Sequence, residues 1–190
     1  MRLAVLVSGR GTNLRNLCER GLPVVAVATN RPGCPAAAFA RQRGIPLGEF
    51  PQKAFRSLEE RDLAMRAWLL EHAVEVVVNA GYDRVLSAAF LAGFPGRILN
   101  VHPSLLPAFK GTMHAVEEAL AAGVKVTGCT VHLVTEDVDG GPILLQAAVP
   151  VLEGDTPETL HARIQVEEHR LLPQAIHLIE SSVQASSPLR

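Results

Sequence analysis

Cysteine is scarce in this 190-residue chain, and the three present, Cys18, Cys34 and Cys129, form no CxxC pair. An odd, unpaired set excludes a disulfide framework and a zinc ribbon, and reads as free thiols in a reducing compartment. Aromatic residues make up only 4% of the chain, so its core must come from Ala, Val, Leu and Ile. Charge of one sign is missing too: 18 basic residues face 19 acidic ones, with no single-sign run. That balance leaves no electrostatic footprint for DNA or a large RNA. Long apolar runs are absent. Leu3–Val7 is too short for a signal-peptide core, and no segment approaches the roughly 20 apolar residues of a membrane span. These absences point to a soluble cytoplasmic protein.

What is present is a globular composition, 48% hydrophobic and 19% charged. One domain over residues 1–190 is large enough to bury roughly 70% of its unfolded surface. Apolar runs at Leu3–Val7, Val24–Ala28, Ile45–Phe50, Val74–Asn79 and Ile98–Val101 read as strands. Helical patterns separate them: one after Thr12 or Asn13, which can cap it; one near Ala36–Arg43; and one from the capping box Ser57-Leu58-Glu59-Glu60 to about His72. This alternation predicts an α/β fold, a doubly wound, mostly parallel sheet with helices on both faces. The pattern then changes. After a helix over Ala115–Ala122, Lys125–Val134 and Pro142–Val149 are joined by a short Gly-containing link, which predicts an antiparallel hairpin toward the C-terminus. A last helix begins at Thr156-Pro157, and Pro173 should kink or restart it.

Three stretches carry chemistry. The turn Ser8-Gly9-Arg10-Gly11-Thr12-Asn13 sits between a strand and a helix but is not a dinucleotide fingerprint. Its third glycine would fall at Leu14, and the second strand ends in Thr29-Asn30 rather than an acidic residue. The N–H groups of Gly11, Thr12 and Asn13 at a helix N-terminus still suit a monophosphate, though an ordinary βα turn has the same look. In Ile98-Leu99-Asn100-Val101-His102-Pro103, Asn100 and His102 lie one residue apart, on the same side if the strand continues. An amide and an imidazole there suit a developing oxyanion; a His capping a strand and an Asn opening a turn fit equally. In Asp137-Val138-Asp139-Gly140-Gly141, Asp-Gly is a common hairpin turn, yet two acidic residues exceed what a turn needs. Folded back over the sheet, Asp139 would meet His102 and hold it protonated. Gln165, Glu168 and His169 either share a face near the site or are simply solvated. His102, His114, His132, His161 and His169 show no metal-ligand spacing, so no metal is expected.

Taken together, Val7-Ser8-Gly9-Arg10-Gly11-Thr12-Asn13-Leu14, Asn100-Val101-His102-Pro103-Ser104-Leu105-Leu106-Pro107 and Asp137-Val138-Asp139-Gly140-Gly141-Pro142 resemble the phosphoribosylglycinamide formyltransferase (glycinamide ribonucleotide transformylase) family. These are folate-dependent formyltransferases of de novo purine biosynthesis, with a Rossmann-like sheet. The resemblance covers nearly the whole chain. It implies catalytic roles for Asn100, His102 and Asp139, and ribonucleotide binding by Gly11, Thr12, Asn13 and Glu168. It also implies folate contacts from Asp83, Arg84, Val85, Leu86, Asn100 and Val138. The cosubstrate would be 10-formyltetrahydrofolate, with small-molecule partners only: no nucleic acid and no membrane. Two departures stand out. Leu58 falls where many members carry a basic residue for the folate glutamate tail, leaving Arg56 or Arg61 as substitutes; and the stretch between Gly111 and Ala119 is one residue longer than usual.

The implied reaction is direct attack of the glycinamide amine on the formyl group through a tetrahedral intermediate. No GxSxG elbow is present, and no cysteine lies in the three motifs. Rival readings are a formyltetrahydrofolate deformylase, a methionyl-tRNA formyltransferase and a non-catalytic phosphate- or nucleotide-binding module. The first two are expected to carry an added N-terminal or C-terminal domain. The third would not need Asn100, His102 and Asp139 together.

Overall fold

The computed structural model describes residues 1–185, with side chains through Ser181. Seven strands form one sheet: β1 (Leu3–Val7), β2 (Val24–Thr29), β3 (Leu47–Glu49), β4 (Val76–Asn79), β5 (Ile98–His102), β6 (Val126–Leu133) and β7 (Ile143–Pro150). Their order is β3-β2-β1-β4-β5-β6-β7. The first five in that order pair in parallel, and β6 and β7 are antiparallel. Both faces are covered, which explains why β1 reads as an unbroken apolar run. Leu3, Val5 and Val7 pack with α1 (Thr12–Glu19), α2 (Pro35–Gln42) and α6 (Pro157–Ala185), whereas Ala4 and Leu6 face α3 (Leu58–Glu71) and α4 (Ala88–Leu91). A further helix, α5 (Ala115–Ala121), precedes β6. Among the described residues no helix is long and apolar enough to cross a membrane.

Three local readings need correction. Neither Thr12 nor Asn13 caps α1: the cap position is Gly11 at φ 73°, with no side-chain cap bond. Glycine is needed there twice over, since a Cβ would also lie 2.5 Å from that of Ala36. Ser57 does cap α3 by accepting from Glu60 N–H, but the Glu60 carboxylate reaches back to Arg56 N–H rather than to the cap residue. Pro173 does not restart the last helix, because α6 runs through it as one 29-residue element. Proline lacks the N–H that would serve the carbonyl four residues earlier, His169. Asn16 of α1 supplies that donor instead, its Nδ2 lying 2.9 Å from the His169 oxygen. The helix is thereby docked at the point where proline would break it.

The chain leaves β1 toward β2 on one side, while β4 lies on the other. Loops at this switch of direction diverge and leave a crevice beyond the strand ends, the usual place for a ligand in such sheets.

Candidate functional site

A cleft of about 450 Å³ occupies that crevice. It gathers residues from all three motif stretches: Gly11, Thr12 and Asn13; Asn100 and His102; Val138 and Asp139. Asp83, Arg84, Val85, Leu86 and Glu168 line it as well, so every candidate residue borders one space.

The catalytic candidates meet because β5 continues to His102, one residue beyond the expected end, so Asn100 and His102 do share a side. The link between β6 and β7 folds over them and is pinned to the loop after β5. Lys110 Nζ holds both oxygens of Asp137 at 2.9 and 2.8 Å, and Gly111 N–H donates to Asp139 Oδ2 at 2.9 Å. Thus the second acidic residue has its own task, anchoring the link. Asp139 itself adopts φ 52°, a left-handed conformation that Asp tolerates at modest cost. Gly141 is required by space, since a Cβ would meet the Leu133 backbone carbonyl at 1.9 Å; at Gly140 a Cβ would displace the Asp137 carboxylate, 1.8 Å away.

The Asp139 carboxylate then faces three side chains. His102 Nδ1 lies 3.4 Å from Oδ2, His132 Nε2 3.5 Å from Oδ1, and Asn100 Nδ2 3.4 Å from Oδ1. Burial works against its charge, but the His132 ring, the Gly111 N–H and the facing His102 outweigh it and hold the carboxyl below its ordinary range. The other nitrogen of His102 lies 2.8 Å from the Phe109 carbonyl. Both ring nitrogens therefore face oxygen acceptors.

His132 escaped the sequence reading, which weighed it only for metal spacing. It is 1% exposed, pairs across the strands with Asn100, and its Nε2 lies 3.1 Å from the Asn100 amide nitrogen. Its Nδ1 sits 2.9 Å from the Leu133 carbonyl, which places Nε2 within reach of both the Asn100 amide and the Asp139 carboxylate. The signal for it was register, since Asn100 and His132 face each other only once β5 and β6 are paired.

At the Gly-rich turn, Asn13 is buried, and its Nδ2 donates to Glu168 Oε2 at 3.1 Å. Its Oδ1 is sealed and has no hydrogen-bond partner among the described residues. Glu168 is therefore not a solvated helix residue. It is 5% exposed, and burial pushes its carboxyl up to about 7 despite the Asn13 bond. Gln165 and His161 of α6 border the cleft beside it, whereas His169 is absent from the lining.

On the other side, Arg84 and Val85 are exposed and Leu86 is buried. Asp83 has little left for a ligand. Asn30 Nδ2 donates to it at 2.8 Å, Ser8 Oγ at 3.0 Å, and Arg31 closes an ion pair. Burial disfavours its charge, but these partners hold the carboxyl below its ordinary value. Leu58 is 41% exposed on α3 and does not line the cleft. Of its two suggested substitutes, Arg61 is fully buried and committed to Asp62, which leaves the exposed Arg56. In the stretch after Gly111, Met113 is 70% exposed and borders the cleft, while His114 precedes α5 and does not line it.

Comparison with known proteins agrees with this architecture. Residues 1–176 match the formyl transferase family model. A phosphoribosylglycinamide formyltransferase of Mycobacterium tuberculosis is 48% identical over 180 residues, covering 92% of this chain and 83% of that protein. The trifunctional purine biosynthetic protein adenosine-3 of Gallus gallus is 44% identical over 187 residues, and this chain spans only 18% of its length. Among solved structures, glycinamide ribonucleotide transformylase 1 of Symbiobacterium toebii superposes with a TM-score of 0.91 at 47% identity, over 96% of this chain and 88% of that one. With the fold, the three motif stretches and the relatives in agreement, this chain belongs to the formyl transferase family, among the phosphoribosylglycinamide formyltransferases.

Proposed function

We propose that the protein transfers the formyl group of 10-formyltetrahydrofolate to the amine of 5-phosphoribosylglycinamide, in de novo purine biosynthesis. One observation carries this reading: an anion-ready helix N-terminus and the Asn100, His102, Asp139 set share one cleft. The turn at Gly11–Asn13 takes the phosphate through N–H groups left unpaired at the start of α1. Glu168, buried beside Asn13, orients the amine. The pterin lies against the loop of Arg84, Val85 and Leu86, with Val138 opposite. Asp83 supports that loop rather than touching the folate, given its ties to Ser8, Asn30 and Arg31.

The attack needs a neutral amine, a stabilised oxyanion and a proton for the leaving N10. Asn100 and His102 donate to the oxyanion, each such donor being worth about 3–4 kcal/mol. His102 gives up its Phe109 partner when it does so, since that carbonyl holds one ring nitrogen in the free protein. Asp139 faces the imidazole and, through water, passes a proton from the amine to N10. His132 fixes the amide of Asn100. The test is a discontinuous assay with 10-formyltetrahydrofolate, run with and without the ribonucleotide. Formylated glycinamide formed only with the ribonucleotide supports the reading. Equal folate turnover without it identifies a hydrolase, and no turnover identifies a binding module.

A further inference from the structure

We propose that Asp62, held by its buried partner Arg61, is the positioning residue that seats the loop 82–87 on the folate side of the cleft. This rests on the functional reading above for what the loop binds. Arg61 and Asp62 are consecutive on α3, and both side chains are 0% exposed. Arg61 grips a single carboxylate oxygen, Oδ1, with Nη2 at 2.6 Å and Nε at 3.0 Å. That leaves Oδ2 free to accept the backbone N–H of Ser87 at 2.7 Å. The remaining arm of the guanidinium donates to Gln52 Oε1 at 3.1 Å, and its carbon lies 5.9 Å from the ring centre of Tyr82.

The pair therefore ties together the short 3₁₀ turn Gln52–Ala54, helix α3 and both ends of the loop that presents Arg84 and Val85 to the cleft. Asp83 secures the start of that loop to the end of β1 and the residue after β2, through Ser8 and Asn30. Asp62 secures its end. Between these two carboxylates only Arg84, Val85 and Leu86 remain to meet a ligand.

Stability alone does not call for such a pair. Desolvating two charges offsets much of their attraction, and a well-packed hydrophobic pair of similar volume is commonly as stable or more so. What a hydrophobic pair lacks is direction. A charge-assisted bond to one chosen N–H fixes where the loop ends, and a misplacement of about 1 Å at a binding wall costs roughly tenfold or more.

The test compares wild type with Arg61→Met/Asp62→Leu, which removes both charges together, and with Asp62→Asn, which retains an acceptor for the Ser87 N–H. Thermal midpoint, kcat and both KM values are measured. The double variant is expected to stay folded and to raise KM for 10-formyltetrahydrofolate about tenfold, with KM for the ribonucleotide within twofold. Asp62→Asn should raise the folate KM less, a partial rescue. Unchanged folate KM in the double variant, or equal rises in both KM values, overturns the assignment. If the double variant does not fold, Asp62→Asn decides: a folate KM equal to wild type overturns it, and a selective rise supports it. Failure of wild type to transfer formyl groups would instead refute the functional reading.

Discussion

Glu168 should make the fold less stable as pH rises, and removing its charge should reverse the effect. The residue is 5% exposed, its carboxylate accepts from Asn13, and its pKa is raised from 4.5 to about 7. The folded protein thus holds a proton between those values that the unfolded chain has released. For a raised pKa, the contribution is fully present below 4.5 and is lost as pH climbs through about 7. At about 1.4 kcal/mol for each pH unit, the ionised carboxyl costs the fold about 3 kcal/mol at pH 8. At pH 4.5 the same arithmetic gives under about half a kcal/mol. Glu168→Gln has no charge to bury and can still accept from Asn13 Nδ2. For a chain of this size about 3 kcal/mol corresponds to a gain of roughly 6–12 °C in melting temperature at pH 8, with little gain at pH 4.5. Scanning calorimetry of both proteins at the two pH values is the measurement. Equal shifts at both pH values, or none at pH 8, would refute the reasoning. The same variant should transfer formyl groups more slowly, since the carboxylate that orients the amine is gone.

Three further outcomes are expected. His102→Ala should lower kcat by about a hundred- to thousandfold while both KM values stay within a few-fold, and steady-state kinetics would expose the reverse pattern. Asn13→Ala should raise KM for the ribonucleotide by about tenfold and spare that for folate, because it strips the partner from Glu168 beside the phosphate turn. Tyr82→Phe should leave the melting temperature unchanged or slightly higher, because the Tyr82 hydroxyl is sealed in the core with no hydrogen-bond partner among the described residues. A drop of several degrees would show that the hydroxyl has a partner.

Much of the site was legible because its residues lie in short, continuous stretches. Asn100 and His102 are two apart on one strand, and Gly11–Asn13 close the short turn that follows another. Such local spacing carries over into three dimensions without knowledge of the neighbours. Glu168 came only through the family resemblance, because its helical spacing suits a solvated face just as well. His132 was missed for a related reason. Nothing in Thr130-Val131-His132-Leu133 differs from any alternating strand, and its partner Asn100 is 32 residues away. In the sequence Arg61 reads as a candidate contact for the folate tail and Asp62 is not singled out; the structure instead buries the two together, with the Asp62 carboxylate on the Ser87 N–H.

Apolar periodicity was enough to establish the alternating strands and helices and the late hairpin, because each pattern reflects which side of a local element meets the core. Pairing and burial were different matters. The register of β5 against β6 brought His132 to Asn100, and the fold of the β6–β7 link brought Asp139 to both histidines. The dock of α6 on α1 buried Glu168 against Asn13 and supplied the donor that lets the helix pass Pro173. Contacts between distant segments, and the loss of water that shifts a carboxyl's affinity for its proton, exist only once the chain has closed on itself.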